Sequence, residues 1–452
     1  MSLDNLKRIS KSIRGWNIQY NTEGRKNLRN RQDIFIIGRH WNSDTPIIPR
    51  KDDIDRNQAI INGNVGGGYF LRIKGIGIAI DPGIAFLKNL YVNHNISIAD
   101  IDFIIITHFH QDHCADIEAI INLSRNFNAK PTILAPNPVC LYLGVLSIIP
   151  YHRILSGEEW EIVETDGHNE SRILRFEFLP AIHWQTISTD SLIQSGFPTF
   201  IDFHLSSVGI YFELLDDIEN YTFKRILITG DTLFPVVNTL GTDFLDSIYD
   251  LYLSNTRNHI NLGFVNIINR REYEQILQTY FLNFLEAYTQ ERINPELICF
   301  HIGSLEKDFI MDNPNFNTMH YSGHHLGVCG ILRLLRIINK HSLKCCVITE
   351  WGEELSGERK NISKFLEICN RRLLNLQDHE YFQPNEIIPF IPSDINLVFN
   401  IKEGLIKCSD HECFHDFKEM KSYEQKNEFL SFQSKIAFPG ITDYEKTCNW
   451  DI

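Results

Sequence analysis

The sequence predicts an α/β fold in which β-sheets are layered between helices, with a C-terminal extension. Three observations point to it. Short runs rich in Ile, Val and Phe alternate along the chain with longer segments whose apolar residues return every three to four positions. Some of the short runs, such as Ile104-Ile105-Ile106, are apolar on both faces, as strands inside a layered sheet must be. At 452 residues, 43% hydrophobic and 22% charged, the chain has material for one large core and an appendage.

Residues 1–32 carry eight Lys or Arg against two acids, with Leu3, Leu6, Ile9, Ile13 and Trp16 at helical spacing. That pattern predicts a basic helical arm, which either docks on the main domain or touches nucleic acid or a partner. Strands are expected at 34–37, 69–73, 78–80, 103–106, 132–135, 174–178, 209–214, 225–229, 297–300 and 344–349. Helices are expected at 116–127, 272–290 and 328–339, each amphipathic at a 3.6 period. Gly66-Gly67-Gly68 precedes a strand with no helix after it, so it permits close packing and is not a phosphate loop. From about residue 356 the pattern breaks at Pro384, Pro389 and Pro392. A hairpin (395–401 with 404–408), a polar helix (417–432) and a tail then form an expected C-terminal appendage, 356–452. Within it, Cys408, His411, Cys413 and His415 are of metal-ligand type, but their tight alternation fits no zinc-finger spacing, and the stretch reads as loop.

The chemistry is concentrated in Thr107-His108-Phe109-His110-Gln111-Asp112-His113, directly after the apolar run 104–106. Three imidazoles and a carboxylate at the end of a core strand suit a two-metal centre. A sharp loop there can aim His108 and His110 at one cation, and Asp112 and His113 at a second. This His-x-His-x-Asp-His pattern resembles the signature of the metallo-β-lactamase fold superfamily. The remaining motifs of that family have look-alikes in order: Asp81 in Ile80-Asp81-Pro82-Gly83, His183 in Ala181-Ile182-His183-Trp184, Asp231 in Thr229-Gly230-Asp231-Thr232, and Ser322-Gly323-His324-His325.

The resemblance implies a four-layer αββα sandwich with the site at one edge between two sheets, and a catalytic domain at 33–355. It implies His108, His110 and His183 on one metal; Asp112, His113 and a last histidine on the other; and Asp231 between them. His324, in a Ser-Gly-His element like that of the RNA-processing branches, is set slightly ahead of His325 as that last ligand. Asp81 would support the site by hydrogen bonds. Asp112 and His301 are the catalytic candidates: Asp112 to hold the shared water, ionised toward hydroxide, and His301 to donate a proton to the leaving group. His301 occupies the place of a Glu-His motif of tRNase Z, whose Glu is missing here. The cofactor expected is a pair of divalent cations, zinc first from the imidazole-rich ligands, with manganese or iron also admissible.

Departures from the family narrow the reading. Where the β-lactamases have Cys, this chain has Asp231, which argues against antibiotic hydrolysis. The interval from Asp231 to His324 leaves no room for a β-CASP domain, and Trp351 stands where a His would be expected in Thr349-Glu350-Trp351-Gly352-Glu353. The expected function is a di-metal phosphodiesterase or nuclease acting on a small-molecule or nucleic-acid phosphodiester. The alternatives are a thioester- or lactone-type hydrolase of the same fold, and a non-catalytic scaffold or sensor. A formal charge of −14 argues against a broad nucleic-acid-binding surface. No segment approaches the roughly 20 apolar residues of a membrane span. The N-terminus lacks a secretory h-region and ten scattered cysteines suit reduced thiols, so a cytoplasmic location is expected. Self-association or an operon-encoded partner protein is left open.

Overall fold

A computed structural model of the chain describes residues 16–20, 32–39, 66–126, 129–146, 150–166, 169–183, 206–215, 218–234, 269–303, 325–351, 359–376, 388–393, 397–408 and 414–416. The strands are β1 (Trp16–Tyr20), β2 (Ile34–Arg39), β3 (Gly66–Ile73), β4 (Ile76–Ile80), β5 (Phe103–Ile105), β6 (Thr132–Ala135), β7 (Tyr151–Arg153), β8 (Glu159–Asp166), β9 (Asn169–Pro180), β10 (Val208–Leu214), β11 (Arg225–Ile228), β12 (Leu297–Gly303), β13 (Cys345–Trp351), β14 (Phe390–Pro392), β15 (Leu397–Asn400), β16 (Leu405–Cys408) and β17 (Phe414–Asp416). The α-helices are α1 (Phe86–His94), α2 (Gln111–Cys114), α3 (Ile117–Asn126), α4 (Asn137–Leu146), α5 (Arg270–Tyr288), α6 (Gly327–Ile337) and α7 (Arg359–Leu376). Two sheets result. One runs β1-β8-β9-β10-β11-β12-β13-β14, the other β17-β16-β15-β2-β3-β4-β5-β6-β7.

Period-two alternation stacks these sheets. In β12, Leu297 and Cys299 turn to one face, and Ile298, Phe300 and Ile302 to the other. The first set joins Phe35, Tyr69, Leu71, Ile78 and Ile105 of the second sheet in a shared core between the sheets. The second set packs under α5, α6 and α7. There Leu277, Phe281, Phe284 and Tyr288 recur every three or four residues, as do Ile362, Phe365, Leu366 and Cys369. Each such buried Phe stabilises the layer by about 1.5–3 kcal/mol. The outer face of the second sheet is covered by α1, α3 and α4, through Phe86, Leu90, Ile117, Ile120, Ile121, Val139 and Leu143. The order helix–sheet–sheet–helix is the sandwich expected. The parallel strands β4, β5 and β6 are buried on both faces, which is why Ile104-Ile105 shows no polar alternation.

Three expectations need correcting. Within the basic arm, residues 16–20 are a strand rather than a helix, paired in parallel with β8 at a sheet edge. Trp16, Ile18 and Tyr20 alternate with polar residues, a period-two signal that the helical spacing upstream obscured. The rest of the arm lies outside the described residues. Second, the segment after residue 356 is not set apart from the domain. α7 adds its apolar face to the helical layer, β14 extends the first sheet beside β13, and β15 pairs with β2 in the second. The prolines interrupt the chain between elements that rejoin both sheets. Third, Cys114, Cys140, Cys299, Cys345, Cys346 and Cys369 are free thiols, but Cys329 is in a disulfide, against the expectation of ten reduced cysteines. The polar helix at 417–432, His411 and Cys413 fall outside the described residues.

Candidate metal centre

β5 ends beside β4, its parallel neighbour, and the two strand ends build one half of the site. Asp81, the first residue after β4, donates its N–H to Ile105 O (2.8 Å) and adopts φ 48°, a left-handed conformation that Asp takes up more readily than most side chains. That turn aims its carboxylate across the loop. Oδ1 accepts the N–H of Thr107 (2.7 Å), and Oδ2 accepts the Thr107 hydroxyl (2.7 Å) and Nδ1 of His113 (3.0 Å). The Thr107 hydroxyl also lies 3.1 Å from His108 Nδ1, so Nε2 of both His108 and His113 is turned to the interior. α2 then carries Asp112 and His113 inward. It sits so close to the β4 loop that a Cβ on Gly83 would lie 1.7 Å from Asp112 O. Only glycine fits there.

The other half comes from the first sheet. His183 follows β9; its neighbour Ile182 donates its N–H to Thr232 Oγ1 (2.8 Å) and accepts from Leu233 N (2.9 Å), locking it to the loop after β11. Asp231 lies in that loop. His325 precedes α6, and its ring packs against Gly303, where a Cβ would lie 2.1 Å from the imidazole.

Asp231 Oδ2 is the hub. It lies 3.4 Å from Nε2 of His108, 3.4 Å from Nε2 of His113, 3.6 Å from Nε2 of His183 and 3.4 Å from Nε2 of His325. His110 Nδ1 stands 3.0 Å from His108 Nε2 and 3.1 Å from His183 Nε2. Asp112 Oδ2 is 3.7 Å from His113 Nε2. Seven ligand-type side chains from both sheets therefore converge in a pocket where most are buried. His324 lies outside the described residues, and it is His325 that reaches the hub.

Electrostatics reinforce the arrangement. Burial, with the charge of His113 next, holds His108 well below the usual imidazole range, so its lone pair stays available. Burial disfavours charge on His113 too, but Asp231, Asp112 and Asp81 outweigh it and raise its pKa. Burial likewise opposes ionisation of Asp231, yet His113 and His108 keep its carboxyl well below the ordinary carboxylate range. Asp112 is pushed up by burial, opposed by His113.

Residues 77–197 match the family model for a beta-lactamase superfamily domain, a stretch that holds Asp81, the His108–His113 loop and His183. The match covers about a quarter of the chain and is to the same superfamily that the motifs resemble. Solved structures of metallo-β-lactamase-fold proteins are similar to the chain. They include YhfI from Bacillus subtilis, 12% identical, covering 82% of this chain and 99% of that one at a TM-score of 0.43. The human short-form tRNase Z is 12% identical, over 72% and 93%, at 0.36. A diphosphatase of the PhnP family is 11% identical, over 81% and 97%, at 0.37. No curated protein matches the chain.

The side chains of this site fit divalent cations. His110 Nδ1 cannot donate to two imidazole nitrogens at once, so the facing of three ring nitrogens is unexplained by hydrogen bonding alone. Bonds of ~2.0–2.1 Å to a tetrahedral ion set ligand nitrogens ~3.3 Å apart, within a few tenths of what is seen. His108, His110, His183 and Asp231 could hold one ion, with their ligand atoms within 4.8 Å of one another.

His301, the proton donor expected from sequence, lies against Asp231. His301 is wholly buried: Nδ1 lies 2.8 Å from Asp231 Oδ1 and Nε2 lies 2.7 Å from the Tyr69 hydroxyl. Both ring nitrogens are occupied, and burial keeps its pKa below the ordinary value despite the hydrogen bond to Asp231. The Asp231 oxygen it meets, Oδ1, is not the one that faces the four histidines. Tyr69, which also meets Thr349 Oγ1 at 2.9 Å, was missed as a site residue because it reads as one more aromatic of a core strand. No described helix is long and apolar enough to cross a membrane.

Proposed function

We propose that the protein is a phosphodiesterase or nuclease that cleaves small-molecule or nucleic-acid phosphodiesters at a two-cation centre. His108, His110 and His183 form the first cation position, Asp112, His113 and His325 the second, and Asp231 Oδ2 lies between them. Cations held there would supply Lewis-acid chemistry, lowering the pKa of a water toward neutrality and neutralising charge on the attacking and leaving oxygens. The single observation that carries the reading is the hub geometry: one carboxylate oxygen 3.4–3.6 Å from four imidazole nitrogens of both halves of the site. In-line displacement at phosphorus develops charge on two opposed oxygens, a demand that a pair of cation positions held this closely suits.

The protein's own groups have separable roles in this proposal. Asp112, at the start of α2, orients the attacking water through its carboxylate. Asp81 and Thr107 fix the rings of His113 and His108. His301 and Tyr69 fix Asp231. Zinc suits the first position, since three imidazoles favour it over harder ions.

The test is turnover by the purified full chain on single-stranded RNA, single-stranded DNA, cyclic nucleotides and bis(p-nitrophenyl) phosphate, beside a thioester and a lactone. Phosphodiester cleavage that a chelator abolishes and metal restores is the expected result. Turnover confined to the thioester or lactone would overturn it, as would activity unaffected by His110→Ala and Asp112→Ala in folded protein. A biological effect retained by those variants would point to a scaffold.

A further inference from the structure

A further carboxylate, Glu350, stands beside His325 without a role so far. Glu350 lies in β13, whose parallel pairing with β12 brings Thr349 beside His301 and Trp351 beside Gly303. It is only 4% exposed, although it is a glutamate, and it adopts φ 50°.

Among the described residues, the other non-glycine positions with positive φ are Lys74, Asp81, Ala85 and Asn95. Lys74 makes the tight turn between β3 and β4, and Ala85 and Asn95 cap α1. Those three have local reasons. Asp81 and Glu350 do not; each sits at the end of a strand, one in each sheet, against the same histidine cluster. A backbone held in a disfavoured region marks a place where the surroundings need the side chain in one direction.

The direction is toward His325. Glu350 Oε1 lies 3.9 Å from His325 Nε2, which lies 3.4 Å from Asp231 Oδ2, and the three ligand atoms fall within 4.8 Å of one another. Around a six-coordinate ion with ~2.1 Å bonds, ligand atoms stand ~3.0 Å apart when adjacent and ~4.2 Å when opposite. The observed spacings need only small contractions. His325 is held there by its close fit on Gly303, while its Nδ1 makes no hydrogen bond.

We propose that Glu350 is a ligand of the second cation, and that it makes that position select a harder ion, manganese or iron(II), over zinc. The proposal rests on the two-cation reading above. Asp112, Asp231 and Glu350 would give the second position three carboxylates beside His113 and His325, against three imidazoles and Asp231 at the first. Oxygen-rich ligand sets favour manganese and similar ions, whereas imidazole-rich sets favour zinc. The centre is thereby a mixed-metal pair.

The test demetallates the full-length protein, reloads it from a mixture with manganese in roughly hundredfold excess over zinc to offset zinc's greater intrinsic affinity, and counts bound metals by mass spectrometry with manganese resonance as a second readout. Wild type should hold one zinc and one manganese per chain. Glu350→Gln should keep the zinc and weaken manganese by at least about tenfold. Glu350→Gly supplies the control for folding. Glycine takes this φ without strain, so the metal-free variant should melt at or above the wild-type temperature while losing manganese. Two zincs in wild type, or both variants binding manganese as wild type does, would overturn the proposal. So would a Glu350→Gly protein whose metal-free form melts lower and whose manganese affinity is unchanged, the result of a purely structural role. If wild type holds both ions yet cleaves no phosphodiester, the functional reading fails and this one stands; if it cleaves and Glu350→Gln keeps both ions, the reverse holds.

Discussion

Asp231 accepts a hydrogen bond from His301 on Oδ1 at 2.8 Å, which leaves Oδ2 alone to face the four histidines of the hub. The division of one carboxylate between an orienting bond and the cation positions continues outward. Tyr69 meets the far side of His301, so a buried chain of three side chains runs from the shared core of the two sheets to the centre.

His301→Ala should therefore act through Asp231. Partners of this kind typically change metal affinity by about 10–100-fold when removed. A chelator-competition titration should show a loss of that size. Cleavage by metal-saturated variant should fall to a similar extent for substrates with good and poor leaving groups. A defect that vanishes with p-nitrophenolate as leaving group would restore His301 as the proton donor.

Asp81→Asn should disable the other half of the site. Both carboxylate oxygens accept from N–H or O–H groups of Thr107 and His113, and an amide can present only one accepting oxygen. Either orientation sets an NH₂ against a donor, costing about 1–3 kcal/mol for the buried group left unsatisfied. Urea unfolding of the metal-free variant should show that destabilisation, and its metal affinity should drop as well. Wild-type stability with wild-type metal content would refute the supporting role.

The sequence made the His108–His113 loop legible because its ligands are contiguous and follow an apolar strand. Asp231 and His183 were legible only through their order along the chain, since one Asp or His after a strand is commonplace. Tyr69 and Glu350 were not legible as parts of the site. Their meaning lies in what faces them across sheet and loop, which no local pattern carries. The same holds for the fold. Most core strands announced themselves by apolar runs, whereas β8 alternates Trp160 and Ile162 with Glu159 and Glu161 and was passed over. α7, β14 and β15 were read as an appendage because prolines punctuate the chain before sheets that close only in three dimensions.

Glu177, on β9, provides a pH signature away from the centre. Burial raises its pKa to about 7 from 4.5, opposed by its ion pair with Arg292. Between those values the folded state holds a proton that the unfolded chain has released, so stability is full below pH 4.5 and declines as pH rises toward 7. The effect is on the order of 3 kcal/mol at most. Urea midpoints of wild type should fall between pH 5 and pH 7.5 by more than those of Glu177→Gln. Equal slopes would mean that Arg292 keeps the carboxylate ionised throughout.

Metal removal should loosen the joint between the sheets before it unfolds either one. The second sheet supplies His108, His110, Asp112 and His113; the first supplies His183, Asp231 and His325, so a bound cation would tie elements otherwise joined by the apolar core between them and by hydrogen bonds such as Tyr69 to His301 and Val208 N–H to Thr107 O. Binding to the folded state alone adds about 2.7 kcal/mol when the ion is at a hundred times its dissociation constant. At about 2.1 cal/mol/K per residue, a chain of 452 residues melts about 1 °C lower per kcal/mol lost, so chelation should lower the melting temperature by a few degrees, reversibly on adding zinc. Hydrogen exchange should locate the change. Amides of 107–113 and of the loop after β11 should exchange faster without metal, while β5 and β6, whose backbones are paired on both sides, should not. His110→Ala, lacking a ligand at the first position, should respond less to the chelator than wild type does. A uniform acceleration across both sheets would instead place the cations' contribution in global stability rather than at this joint.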